Sequence, residues 1–329
     1  MKVGVVFNAP VLAVDHPDFE SEADVVRVAE AVASVLRSEN LDAVAVPAAP
    51  PIPELCSTLS SFDLAFNLAE GFAGVASGEA RLTALLELLG LPYTGCPPEA
   101  QSLCLHKGRA KALLRGFGLP TADFVVALPG DLIARPGGGA VIVKPAGEDG
   151  SLGIDQGSVV GPGEDLEARI ARVRSAYGPA VLVEAYLPGP EYNVGLAGLP
   201  DWVALPVAEV IFDPKPGDWP ILTYAAKWDA GGLEDLATRP RCPARIDAGL
   251  AEELGRLAVL AARATGCRDV ARVDFRLDDR DRPMILEVNP NPDLGPSAGW
   301  ARALSASGRD YAVTMAGIAR RAFERGTAL

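Results

Sequence analysis

Residues 270–291 read VARVDFRLDDRDRPMILEVNPN, a run that brings two carboxylates and an amide together in a way that suits a hard cation. Two strands flank a polar turn at 278–282. Alternation places Val273, Phe275 and Leu277 on one face of the first strand and Arg272, Asp274 and Arg276 on the other. The return strand places Met284, Leu286 and Val288 on one face and Glu287 and Asn289 on the other. One-to-one pairing about the turn sets Val273 across from Val288, Phe275 from Leu286, Asp274 from Glu287 and Arg272 from Asn289. Directly opposed residues have Cβ atoms about 4.5–5.5 Å apart, so Asp274 and Glu287 repel unless a cation compensates. Asp, Glu and Asn oxygens suit Mg²⁺, whose octahedron water and phosphate oxygens complete. The plain alternative is a pair of solvated carboxylates on an exposed face. Arg272 on the same face and the Pro290-Asn291-Pro292 turn argue for a site. A bulge in either strand would break this register.

A second stretch, 141–154, reads VIVKPAGEDGSLGI. A strand ends at Lys144-Pro145, and a loop of small residues follows through Gly147, Gly150, Ser151 and Gly153. Glycines let backbone N–H groups approach phosphate oxygens, and the lysine adds a point charge. The lysine precedes the glycines, so this is not the GxxxxGK[ST] loop, and an ordinary hairpin loop is an equal reading. Lys107 and Lys111 share one helix face at i, i+4; on spacing alone, a solvated charged face is the better reading. In 181–195, VLVEAYLPGPEYNVG, an extended edge at Glu184 to Leu187 can offer backbone groups to a purine, and Glu191 can accept from ribose hydroxyls.

The elements that carry these residues follow from periodicity. Strands are expected at 3–7, 43–46 and 64–67, and helices at 23–37 and 80–89, the latter stopped by Gly90. This β-α-β-α order predicts a parallel sheet covered by helices. Further strands are expected at 141–145, 180–186 and 193–196, a proline- and glycine-rich loop at 128–139, and a long apolar helix at 249–265.

Composition narrows the function classes. A net charge of -13 opposes a nucleic-acid partner, which needs a basic face. No apolar run reaches the ~18 residues of a membrane span, and the start, MKVGVVFNAP, reads as a strand and not as a leader, so a cytoplasmic location is expected. Five scattered cysteines without CxxC spacing point to reduced thiols, with Cys96 and Cys104 as small buried residues. Two histidines make a His-rich zinc site or a Ser-His-Asp triad improbable. Only 6 of 30 basic residues are lysine, which draws attention to Lys107, Lys111, Lys144 and Lys227.

In order along the chain, LLELLGLPYTG (85–95), HKGRAK (106–111), VKPAGEDGSLG (143–153), VEAYLPGPEYNV (183–194), AAKW (225–228) and RVDFR…LEVNPNP (272–292) resemble the ATP-grasp superfamily, and within it the D-alanine–D-alanine ligases. The resemblance implies an α/β ATP-grasp fold. It divides the chain into a Rossmann-like parallel-sheet domain (1–104), a small α+β central lobe (105–187) and a C-terminal α+β lobe bearing the metal and substrate site (188–329). It implies ATP and two Mg²⁺ ions, with Mn²⁺ as an alternative. Lys107 and Lys144 would contact phosphates, while Glu148 and Ser151 close over them. Glu184, Ala185 and Leu187 would line the adenine, and Glu191 would hold the ribose. Asp274, Glu287 and Asn289 would ligate metal. Arg272 and Lys227 would stand at the reacting groups, with Ser151. The implied reaction phosphorylates a carboxylate and lets an amine displace the phosphate. Small-molecule carboxylate and amine substrates are the expected partners, and apolar patches on the first lobe are compatible with a homodimer.

The departures from the family cluster at substrate positions. Gly150-Ser151 stands where paired serines are usual, Trp228 where a tyrosine follows the lysine, and Glu70-Gly71 where the family has His-Gly. Pro290-Asn291-Pro292-Asp293 replaces Thr-x-Pro-Gly. Ser297 is an offset candidate for gripping the second substrate, and Glu20 or Glu22 could hold an amino group. These changes favour a ligase whose substrates differ from two D-alanines. D-alanine–D-alanine ligase itself, a non-catalytic nucleotide-binding protein and an enzyme that stops at phosphoryl transfer are the alternatives.

Overall fold

A computed structural model describes residues 1–13, 15–16, 19–198 and 200–326, apart from the side chains of residues 20–22. Its elements run β1 (Lys2–Asn8), α1 (Phe19–Ser38), β2 (Asp42–Ala48), α2 (Ile52–Leu59), β3 (Leu64–Asn67), α3 (Gly78–Leu88), α4 (Pro98–Leu105), α5 (Lys107–Gly116), β4 (Phe124–Ala127), β5 (Val141–Pro145), β6 (Val159–Val160), α6 (Leu166–Tyr177), β7 (Val181–Ala185), β8 (Glu191–Gly198), β9 (Trp202–Ala204), β10 (Ala208–Phe212), α7 (Tyr224–Trp228), α8 (Leu233–Leu236), β11 (Thr238–Arg241), α9 (Ala248–Ala264), β12 (Val270–Leu277), β13 (Pro283–Asn289), α10 (Gly299–Ala306) and α11 (Tyr311–Arg325).

Three sheets organise the chain. The first has order β2-β1-β3, with both pairings parallel, as the alternating pattern predicts. Its central strand reads as a continuous apolar run, Val3 to Phe7, because helices cover both faces. Val25, Ala29, Val32, Ala33 and Leu36 form the inward stripe of α1. The same core contains Met315, Ile318 and Ala319 of α11, so the last helix of the chain packs with the first lobe.

The second sheet, β4-β7-β5-β6, is antiparallel, and α6 packs its Ile170 and Val173 into the core beneath it. The third has order β11-β10-β8-β12-β13, with β9 paired to β8. Leu254, Leu257, Ala258 and Ala261 of α9 cover it, and free Cys96, Cys104 and Cys267 are buried in that core. An isolated β-bridge pairs Thr121, between α5 and β4, with Ile285 of β13. Among the described residues no helix is long and apolar enough to cross a membrane.

The expected hairpin is β12–β13, and Arg272–Asn289, Val273–Val288 and Asp274–Glu287 pair as anticipated. The expected Phe275–Leu286 pair does not form. A bulge after Asp274 shifts the register, and Phe275 pairs with Ile285. Ile285 and Val288 therefore enter the core, whereas Leu286 turns to the cleft side. The extra residue reverses the alternation beyond it.

Candidate active site

The three lobes converge on a cleft of about 830 Å³. Lys107 opens α5 at one wall, and its backbone N–H donates to the Ala146 carbonyl at 3.0 Å, tying the helix to the glycine-rich loop. The close packing of α5 on β4 favours Gly108, because a Cβ there would come within 2.3 Å of Val126 Cγ2. Lys107 Nζ lies 2.5 Å from Asp149 Oδ1 and 3.0 Å from Glu287 Oε2. Burial alone would lower the Lys107 pKa, but the charges of Asp149 and Glu287 outweigh it and hold the ammonium protonated. Lys107, chiefly, pulls the Glu287 pKa down to about 2 against the effect of burial.

The solvated face expected for Lys107 and Lys111 is not what forms. The two side chains are 9 % and 1 % exposed. Helical spacing puts them on one face, but tertiary packing turns that face inward toward carboxylates. Lys144, at the end of β5, pairs with Glu184 at 2.5 Å. Burial would raise the Glu184 pKa, yet Lys111 and Lys144 together bring it to about 2.

On the hairpin, Arg272 grips Asp274 with two parallel donors, Nε to Oδ1 and Nη2 to Oδ2, each at 2.7 Å. Asn193 Nδ2 adds a third at 2.8 Å. Asn289 Oδ1 accepts from the Asn291 N–H at 2.9 Å, and Asn291 Nδ2 donates to the Ala69 carbonyl of the first lobe. The donor set is all oxygen, carries two carboxylates and shares one face, which fits Mg²⁺ completed by water and phosphate oxygens. Among the described residues no cluster of three His, Cys, Asp or Glu could enclose a metal alone.

Further along the wall, Ala185, Leu187 and Leu286 line the cleft beside Tyr186. The Tyr186 and Trp219 rings meet edge to face, 5.0 Å apart. Buried Glu191 opens β8, with Arg276 Nε at 3.8 Å. Burial raises the Glu191 pKa to about 7, with Arg276 opposing.

Two loops meet over the cleft. Glu148 and Ser151 line it, and Ser151 adopts φ 64°, a left-handed conformation uncommon outside glycine. Thr223 caps α7 by accepting from the Ala226 N–H at 3.1 Å. The cap presents Lys227 to the cleft and lets the Trp228 indole donate to the Gly150 carbonyl at 3.0 Å. Burial and then the Arg272 charge lower the Lys227 pKa.

The wall of the cleft supplied by the first lobe is acidic. Glu70 lies there, open to cleft solvent but deep between the walls, and this desolvation raises its pKa to about 7 despite Lys227. Glu79, in the first turn of α3, is buried and lines the cleft, and its Oε1 has no hydrogen-bond partner among the described residues. Burial, then neighbouring acids, push its pKa well above the carboxylate range. Sequence reasoning passed over Glu79 and Asp149, and the only signal was an acidic residue beside glycines in a loop or first turn. Ser297 is exposed and outside the cleft lining, where its carbonyl accepts from Arg302. Glu20 and Glu22 fall on α1, but their side chains lie outside the described residues.

Comparison with known proteins is consistent across sequence and fold. Residues 113–319 match the family model "D-ala D-ala ligase C-terminus". The chain is 35% identical over 280 residues to a D-alanine–D-alanine ligase of Alcanivorax borkumensis, covering 84% of this chain and 82% of that one. An uncharacterized protein of Sinorhizobium fredii, y4sG, is 35% identical over 258 residues, covering 78% and 73%. The crystal structure of D-alanine–D-alanine ligase from Bacillus anthracis complexed with ATP superposes with a TM-score of 0.76 at 18% identity, over 99% of this chain and 98% of that one. That likeness speaks to the fold.

Proposed function

This chain belongs to the D-alanine–D-alanine ligase family of ATP-grasp carboxylate–amine ligases, and from that premise we propose that it joins two amino acids other than a pair of D-alanines through an acyl phosphate. Its activity as an ATP-dependent ligase rests on the family. The observation that supports amino-acid substrates is the acidic wall of the cleft, where buried Glu79 keeps an unpartnered oxygen near Glu70. An ammonium group is the natural complement of such a pair.

The remaining residues would divide the work as follows. Lys107 and Lys144 offset phosphate charge, with Glu148 and Ser151 in the closing loop. Ala185 and Leu187 flank the adenine beside Glu184, and Glu191 accepts from the ribose. Arg272 and Lys227 offset charge on the transferred phosphoryl group and the carboxylate oxygens. The Trp228–Gly150 contact holds two loops together over the cleft, where water would hydrolyse an acyl phosphate. Asp274, Glu287 and Asn289 would hold Mg²⁺, which supplies charge neutralisation to the phosphates when bound.

Substrates other than two D-alanines are favoured by residues at the substrate end. Trp228 offers a donor but no acceptor where the family has a tyrosine, and its donor is committed to Gly150. Glu70 replaces a histidine. The test is phosphate release from Mg-ATP with D-alanine alone and then with paired amino acids, with product masses. Release and a dipeptide mass with a mixed pair, against silence with D-alanine, is the expected result. Release with D-alanine and formation of its dipeptide would overturn the substrate reading and leave the ligase chemistry standing.

A further inference from the structure

Behind the phosphate-facing lysines lies a third. Lys111 is one turn past Lys107, 1 % exposed, and outside the cleft lining. Its Nζ donates to Thr121 Oγ1 at 2.8 Å and to the Ile285 carbonyl at 3.2 Å. It also lies 2.8 Å from Glu184 Oε2. The other oxygen, Oε1, accepts from Lys144 Nζ at 2.5 Å. Glu184 is as buried as Lys111, and among the described residues Oε2 receives no aligned hydrogen bond. The charge of Lys111 is what compensates it.

This arrangement sets a condition on Lys144. Drawn toward a phosphate, Lys144 loosens its hold on Glu184, and a buried carboxylate left without counter-charge is strongly disfavoured. We propose that Lys111 is the permanent counter-ion of Glu184 and that its presence frees Lys144 to pass from Glu184 to a nucleotide phosphate. Lys111 is thus a positioning residue that acts through Glu184 and touches no substrate. Thr121 and Ile285 fix its ammonium at the junction of the central lobe and β13, so it stays when Lys144 moves. The inference rests on the ATP-ligase reading of the cleft.

The test compares affinities for Mg-ADP and for adenosine, which lacks phosphate. The ratio of the two cancels the adenine contacts and isolates the phosphate arm. In Lys111→Met, Glu184 keeps Lys144 as its sole cation. The ADP-to-adenosine ratio should fall roughly tenfold, equivalent to about 1.4 kcal/mol, while adenosine binds as in wild type. In the double variant Lys111→Met/Glu184→Gln, Lys144 has no carboxylate to hold it, and the ratio should return to the wild-type value. An unchanged ratio in Lys111→Met, or equal losses for both ligands, overturns the proposal. If the single variant does not fold, the double variant, which removes both buried charges, decides alone: a wild-type ratio supports the proposal, and a ratio still tenfold low overturns it. Wild-type protein that binds no Mg-ADP would instead remove the nucleotide reading beneath it.

Discussion

On the hairpin, α5 and β5 side of the cleft the charges are paired: Lys107 with Asp149 and Glu287, Lys144 and Lys111 with Glu184, and Arg272 with Asp274. On the first-lobe wall Glu70 and Glu79 have no ion pair within 4.0 Å among the described residues, the charge of Asp149 reaches both, and desolvation in the cleft raises both pKa values. The difference follows from what each side must do. Phosphates and a hard cation make the same demands in every turnover, so their partners can be held in place by exchangeable ion pairs. An acid left uncompensated in a closed cleft carries a desolvation cost that a cationic substrate group can relieve. The unpaired wall is therefore where selectivity should reside.

The largest break in this contrast should come from Glu287→Gln. It removes one carboxylate of the hairpin pair but leaves Lys107 with Asp149, so the fold should persist. We expect Mg²⁺-dependent turnover to fall by about 10²- to 10³-fold, comparable to loss of an oxyanion-stabilising group, with circular dichroism unchanged. Unaltered turnover would sink the metal assignment.

The acidic wall should respond differently. Glu79→Gln keeps shape but can never become the carboxylate that a substrate ammonium would draw out of this raised-pKa acid, and we expect KM for one amino-acid substrate to rise about 10- to 100-fold, the range of a lost charge-assisted hydrogen bond, with KM for ATP unchanged. A shift in KM for ATP of the same size would erase the distinction between the two sides.

The smallest effect concerns Glu191. With a pKa of about 7 its carboxyl is protonated below neutrality and ionised above. If Glu191 holds the ribose as proposed, the ionised form is the stronger acceptor for its hydroxyls, so KM for ATP should fall a few-fold as pH rises from about 6 to about 8, within the span over which such a group titrates. Glu191→Gln should flatten that dependence. The sign for stability is opposite. A carboxyl whose folded pKa is raised from 4.5 to about 7 costs stability as pH climbs between those values. Thermal unfolding of wild type against Glu191→Gln across that window checks this.

Much of this architecture was legible because its signals are local. The first three strands, the stripe on α1 and the Asp274–Glu287 pairing follow from periods of 2 and 3.6 residues and from a polar turn. The bulge was not legible, since Ile285 and Leu286 are both apolar and either could point inward. The burial of Lys107 and Lys111 was missed for a related reason. An i, i+4 lysine pair looks alike on a solvated face and on one packed against Glu184 and Glu287, which lie far away in sequence.

The sequence alone determined the first three strands, the helices α1, α3, α5 and α9, the β12–β13 hairpin, the family likeness through six spaced motifs, and the face that gathers Arg272, Asp274, Glu287 and Asn289. These depend on neighbours along the chain or across one hairpin, where geometry is fixed by the backbone repeat. Tertiary structure alone decided which charges neutralise which, that Glu79 comes to line the cleft with an oxygen unpartnered, and that Trp228 reaches Gly150. Those outcomes depend on distances between residues tens to hundreds of positions apart and on how much water the converging lobes exclude, and no local pattern encodes either.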